Sequence, residues 1–183
     1  MMKNSRVTIH MVASVDGYIA KKDNSIEWFE TAHDFEGGQD FASPEEFFKT
    51  VDCFVMGANT YELAESLSEK YGWPYGTIPT VVVTHRQFEN KRENVSFYNG
   101  DLVKLFEEQL YPNYKNIWLA GGSVLTKELL NLNIADEIKL NILPIILGDG
   151  LPFFDLIGKE IKLQLTENKT YKNGMVELCY QLD

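Results

Sequence analysis

Little in this chain equips it to hold a metal, cross a bilayer or grip a nucleic acid. It has only 2 cysteines and 3 histidines in 183 residues. Cys53 lies inside an apolar run and Cys179 in an expected last strand, the setting of buried thiols rather than of a disulfide or metal pair. His10, His33 and His85 share no ligand spacing with one another or with the cysteines, so no metal site is expected. No apolar run reaches the length of a membrane span. The opening Met1-Met2-Lys3-Asn4-Ser5-Arg6 leads into a strand rather than into the apolar stretch of a signal peptide. A cytoplasmic location follows by default. Positive charge is scarce as well: 17 Lys and Arg against 27 Asp and Glu leave a net charge of −10. That balance excludes a nucleic-acid partner, because phosphate backbones demand clustered cations. A phosphorylated small molecule is still compatible with it where the few cations and amides are local. Repeats, low-complexity stretches and linkers are missing too, so residues 1–183 are expected to form one domain with its own core.

What is present is an alternation of short apolar runs with helix-like patterns. Residues 6–13 read as a first strand, Ser14-Val15-Asp16-Gly17 turns the chain, and Tyr18-Ile19-Ala20 continues it. Asp16-Gly17 is either a plain turn, since Gly accepts positive φ, or a strand-end loop bordering a ligand. Residues 21–42 are irregular, with Gly37-Gly38 at the centre and Trp28, Phe29, Phe35 and Phe41 scattered through them. Such a stretch is a lid whose rings stack on a flat ligand, or a cover for the core. Ser43-Pro44-Glu45-Glu46 is a capped helix start, running to about Val51. Cys53–Met56 is a buried strand, and Asn59 with Glu62 reads as a second cap ahead of Leu63 and Leu67.

Residues 71–79 are loop, Thr80–Thr84 a strand ending in His85-Arg86, and Val95–Tyr98 another strand. Asp101 caps a helix carrying Leu102, Phe106 and Leu110, closed by Pro112. After the Ile117–Leu119 strand and Gly121-Gly122 comes a helix with Leu125, Leu129 and Leu132. Residues 136–147 are mostly strand, interrupted at Pro144. The segments 161–171 and 175–182 form a terminal antiparallel hairpin about the two-residue turn Asn173-Gly174.

Strands alternating with helices, then a hairpin, imply an α/β fold: a mainly parallel sheet with helices on both faces and an antiparallel edge. In such sheets ligands bind beyond the carboxyl ends of the strands. Three ends qualify: Gly57–Thr60, Thr84–Arg86 and Gly121–Leu125. The last has the strand–glycine–helix order that suits phosphate, because side-chain-free residues admit the ligand and free amides at the helix start face it. A tight strand-to-helix turn would carry the same Gly-Gly pair.

Five pieces in order resemble the dihydrofolate reductase superfamily, and most closely the stand-alone relatives of the riboflavin-biosynthesis reductase domain. They are Ser14–Ala20, Val55–Glu62, Val81–Arg86, Ala120–Ser123 and Leu143–Gly150. The resemblance implies a dihydrofolate-reductase-like twisted sheet of about eight strands, NADPH as cofactor and a homodimer. It implies that Gly57, Asn59 and Thr60 hold the adenosine end, and that Thr84, His85 and Arg86 lie by the adenosine and its 2′-phosphate. Gly121, Gly122, Ser123, Val124 and Leu125 would cradle the pyrophosphate, and backbone near Val12, Ala13 and Ile19 the nicotinamide carboxamide.

Arg86 offers a fixed fork to a phosphate, or is a solvated surface charge. Ala58 stands where many dihydrofolate reductases carry a cation for the 2′-phosphate, which keeps NADH beside NADPH. The carboxylate that those enzymes place on the first helix has no aligned counterpart, since Glu45 and Glu46 already serve a helix start.

The expected activity is therefore hydride transfer from a nicotinamide to a pyrimidine, pterin or related heterocycle, as in a ribosylamino-pyrimidine reductase, rather than folate reduction. Asp16, Glu27 and Trp28 border the expected substrate side. The proton donor is unassigned. The rival is a non-catalytic nucleotide-binding module or sensor on the same fold.

Overall fold

Period-two alternation in β1 (Arg6–Ser14) sends Val7, Ile9, Met11 and Ala13 into one hydrophobic core and leaves Thr8, His10 and Val12 for the other face. The computed structural model describes residues 4–30 and 34–183; Met1–Lys3 and His33 lie outside them. Within it β1 lies between β6 (Asn116–Leu119) and β7 (Glu137–Leu143), parallel to both. Beyond β6 follow β3 (Cys53–Gly57), β4 (Thr80–Val83) and β5 (Val95–Tyr98), all parallel. Beyond β7 the chain's last strands, β10 (Val176–Leu182) and β9 (Leu163–Thr170), add an antiparallel edge. The sheet has 8 strands in the order β5-β4-β3-β6-β1-β7-β10-β9. The short β2 (Tyr18–Ala20) and β8 (Leu151–Pro152) pair separately. The expected mainly parallel sheet with a C-terminal antiparallel hairpin is thus the observed one.

Helices cover both faces, because the strands present two apolar surfaces. On one, α3 (Leu102–Lys104), a π-helical segment (Leu105–Leu110) and α5 (Ser123–Asn131) bury Leu105, Phe106, Leu110 and Leu129 against Val55, Ile117 and Leu119. On the other, α1 (Pro44–Phe48) and α2 (Ala58–Tyr71) set Phe47 and Tyr61 over Phe54, Met56, Val82 and Trp118. No helix among the described residues is long and apolar enough to cross a membrane.

Several local expectations are corrected. The helix at Ser43 stops at Phe48 rather than near Val51. Its capping box is present, but Thr50 N–H bonds the Phe47 carbonyl and Val51 N–H the Phe48 carbonyl, a tightening that turns Val51 into the core. Asn59 caps nothing: the cap of α2 is Gly57. The helix begun at Asp101 widens to π geometry and ends through α4 (Tyr111–Asn113), with Pro112 inside that final turn. The Tyr111 N–H accordingly reaches the Phe106 carbonyl, five residues back. Pro112 lacks an N–H and would crowd the carbonyl four residues earlier, and widening relieves that contact. The last hairpin turns through Lys172, Asn173 and Gly174 rather than two residues. Tyr171 N–H bonds the Met175 carbonyl, and only Gly174, at φ 80°, takes the left-handed conformation.

Candidate functional site

The sheet order places the tips of β4, β3 and β6 side by side. β3 ends at Gly57 and opens α2, and β6 runs through Ala120-Gly121-Gly122 into α5. The Gly57 N–H donates to the Gly121 carbonyl at 3.3 Å, joining the two tips. Neither α2 nor α5 has a side-chain cap, whereas Ser43 caps α1 and Asp101 caps α3. The Thr126 N–H is the first to bond back, to the Gly122 carbonyl at 2.9 Å. The earlier amides, of Ser123, Val124 and Leu125, have no intrahelical acceptor by the geometry of a helix start. Two helix N-termini therefore open at adjacent tips with their amide ends free of side chains, the arrangement that attracts an anion.

The glycines here answer to space and backbone. Gly121 and Gly122 have φ of 127° and 95°, which side chains rarely adopt. A Cβ on Gly121 would stand 3.4 Å from Thr60 Oγ1 and 3.6 Å from Met11 Sδ. Around Gly57 nothing would meet a Cβ within 4 Å, so its surface is open. Val124 is exposed at the rim, while Leu125 sends its side chain into the core and leaves only its amide at the tip.

At the β4 tip, the Thr84 hydroxyl accepts from the Arg86 N–H at 2.9 Å, and the Thr84 N–H bonds the Tyr98 carbonyl. Arg86 then crosses to α2, donating from Nη1 to Asn59 Oδ1 at 3.3 Å and pairing through Nη2 with Glu62. The guanidinium lies 4.9 Å from the Phe88 ring centre. His85 Nδ1 is 2.5 Å from Asn99 Oδ1, which ties the end of β4 to the end of β5. Gly57, Asn59, Thr60, Thr84, His85, Arg86 and Gly121–Leu125 are thus brought to one end of the sheet.

The other expected residues gather one strand further on. Val12 packs with Trp28 and Leu143, Ala13 is buried on the opposite face, and Ile19 packs against the larger core. Trp28 is buried in a short 3-10 turn (Glu27–Phe29), its indole N–H without a partner among the described residues, while Glu27 is exposed. Of the other rings of residues 21–42, Phe41 stacks on Tyr171 with centroids 4.5 Å apart. Asp16 is a clamp. Its carboxylate accepts from Ser14 Oγ at 2.6 Å, from the Leu147 N–H at 3.0 Å and from the Gly148 N–H at 2.7 Å. These bonds, the Ser14 hydroxyl first, hold its pKa below the usual carboxylate range.

Residue spacing did not reveal two features. Glu62 reaches Arg86 across elements, and only the Tyr61-Glu62 pair after Thr60 hinted at it. His10 lies on Trp118 with ring centroids 4.8 Å apart and its Nε2 is 3.0 Å from Asn141 Nδ2. Burial, and then the Lys139 charge, lower its pKa to about 4.

An open sheet with this strand order, its helices and its glycine-ended tips define an α/β domain of the dihydrofolate reductase type. The chain belongs to the RibD C-terminal domain family, which matches residues 5–177. It is 31% identical over 175 residues to the uncharacterized protein YwjB of Bacillus subtilis (strain 168), covering 96% of this chain and 97% of that one. Among solved structures it resembles a putative riboflavin biosynthesis protein from Shewanella sp. PV-4, with a TM-score of 0.82 and 23% identity over 97% of this chain and 99% of that one. It shares its fold with the dihydrofolate reductase of Enterococcus faecalis complexed with NADP(H), at a TM-score of 0.62 and 17% identity, covering 99% and 98% of the two chains.

Proposed function

We propose that this protein is a reductase that takes a reduced nicotinamide dinucleotide, NADPH or NADH, and reduces a pyrimidine, pterin or related flat heterocycle. The observation that carries the reading is the pair of uncapped helix starts at adjacent glycine-ended tips, with Arg86 beside them. Free amides at Ser123–Leu125 fit a pyrophosphate, and the open surface at Gly57 fits close approach of a nucleotide. Family membership and the shared fold with an NADP(H)-complexed enzyme support the same assignment.

The coenzyme, when bound, supplies the hydride; the chain supplies position. The backbone near Val12, Ala13 and Ile19 would orient the nicotinamide, and the Trp28 side would receive the substrate. Asp16 and His10 do not suit a proton donor at neutral pH. Asp16 is held ionised by its bonds, and His10 is held neutral by burial. Exposed Glu27 and water remain as proton sources.

Glu46 gives substance to a second reading, a nucleotide sensor without turnover. Its Oε2 accepts from the Ser43 N–H at 3.0 Å, so this first-helix carboxylate is committed to its own helix. Titration of NADPH and NADH into the protein, followed by loss of nicotinamide absorbance with a panel of pterins and ribosylamino-pyrimidines, separates the two. Binding without turnover supports the sensor, and no binding near millimolar concentration removes both. A homodimer belongs to the proposal, and light scattering on the purified chain checks it.

A further inference from the structure

Arg86 already has an anion on its fork. One arm bonds Asn59 and the other pairs with Glu62, and both partners come from the start of α2. The pair is half exposed, 47% for the Arg side chain and 52% for the Glu side chain, so it is open to solvent at the β4 tip rather than shut in the core. A guanidinium in that position would ordinarily receive a phosphate in a two-pronged bond. Here a carboxylate occupies one prong.

We propose that Glu62 is the residue that sets coenzyme preference, holding Arg86 back from a 2′-phosphate and offering the free 2′-hydroxyl an acceptor. The proposal rests on the dinucleotide reading above. A 2′-phosphate seated on Arg86 lies within ion-pair reach of the Glu62 carboxylate, and like charges at that range offset much of the guanidinium's attraction. A ribose 2′-hydroxyl meets no such conflict: it donates to the carboxylate and accepts from the guanidinium. The chain therefore uses NADH nearly as well as NADPH. The bland alternative makes the pair only a surface brace for α2, but exposed ion pairs contribute little to stability.

The test measures dissociation constants of NADPH and NADH for the full chain by quenching of intrinsic tryptophan fluorescence at fixed ionic strength. In Glu62→Gln, NADPH binding should tighten about tenfold and NADH binding weaken about twofold. Arg86→Gln should move the ratio the other way, and adenosine 2′,5′-bisphosphate should follow NADPH in displacement. A structural brace would shift both coenzymes together, so the ratio is the decisive quantity. An unchanged ratio in Glu62→Gln overturns the role of Glu62 while leaving the dinucleotide reading in place. So does a parent chain that favours NADPH by more than about a hundredfold. Binding of neither coenzyme by the parent chain defeats the dinucleotide reading itself, and this inference falls with it.

Discussion

Thr60 Oγ1 stands 3.4 Å from the point that a Cβ on Gly121 would occupy. In Gly121→Ala the methyl would therefore sit in ordinary contact with Thr60, and the obstacle is the backbone φ of 127°. The backbone strain alone costs about 1–3 kcal/mol. The expected outcome is a lower unfolding midpoint, together with at least roughly tenfold weaker coenzyme binding as the tip shifts away from Gly57. Calorimetry and coenzyme titration on the same preparation check both. Undiminished affinity in a folded variant would remove Gly121 from the cradle.

Gly57→Ala supplies the complementary measurement. Gly57 has φ −84°, and no atom beyond its own chain neighbours lies within 4 Å of the position its Cβ would take, so a methyl fits the folded chain. Stability should stay within about 0.5 kcal/mol of the parent. If a nucleotide approaches this backbone closely, the same methyl intrudes on it, and coenzyme affinity falls while the unfolding midpoint holds. Equal affinity would show that ligand does not come near the β3 tip.

The strand tips were legible in the sequence because their signals are local: apolar runs ending at Gly57, Thr84 and Gly121. Which tips become neighbours depends on the strand order, which periodicity does not encode and which the five resembling segments supplied. A distant partner can overrule a local pattern. Asn59 has the side chain of a helix cap, yet its oxygen serves Arg86. Asp16 does lie in the expected turn, where the Gly17 N–H bonds the Ser14 carbonyl, and its carboxylate also holds the distant amides of Leu147 and Gly148. Asn173-Gly174 looks like a two-residue turn, yet the Tyr171–Met175 bond closes a wider one.

Asp16→Asn should loosen the segment after β7. An amide in place of the carboxylate turns a donor toward either the Gly148 N–H or the Leu147 N–H, so at least one bond is lost. Limited proteolysis should then cut residues 144–150 faster than in the parent. The acid response should change as well. The folded pKa of Asp16 is depressed, so its contribution is complete above the ordinary carboxylate pKa and disappears as pH falls through the lowered value. Parent and variant should therefore converge in stability at the acid end. A gap that persists there, or unchanged cleavage, would contradict the clamp.

His10 gives the sharpest dependence on pH. Its Nε2 faces the Asn141 side-chain amide at 3.0 Å, a bond in which the neutral ring accepts. Burial, then the Lys139 ammonium, bring its pKa from 6.5 to about 4 in the folded chain. Between those values the unfolded chain takes up a proton that the folded chain refuses. Stability is therefore full above pH 6.5 and declines as pH falls toward 4, by up to about 3 kcal/mol from this group alone. His10→Gln preserves an acceptor for Asn141 and carries no titrating ring, so its urea midpoint should lose that slope over the same interval. The difference between the two profiles isolates His10 from every other titrating group. Parallel profiles would mean that the imidazole charges in place, and that the space beside Trp118 admits water.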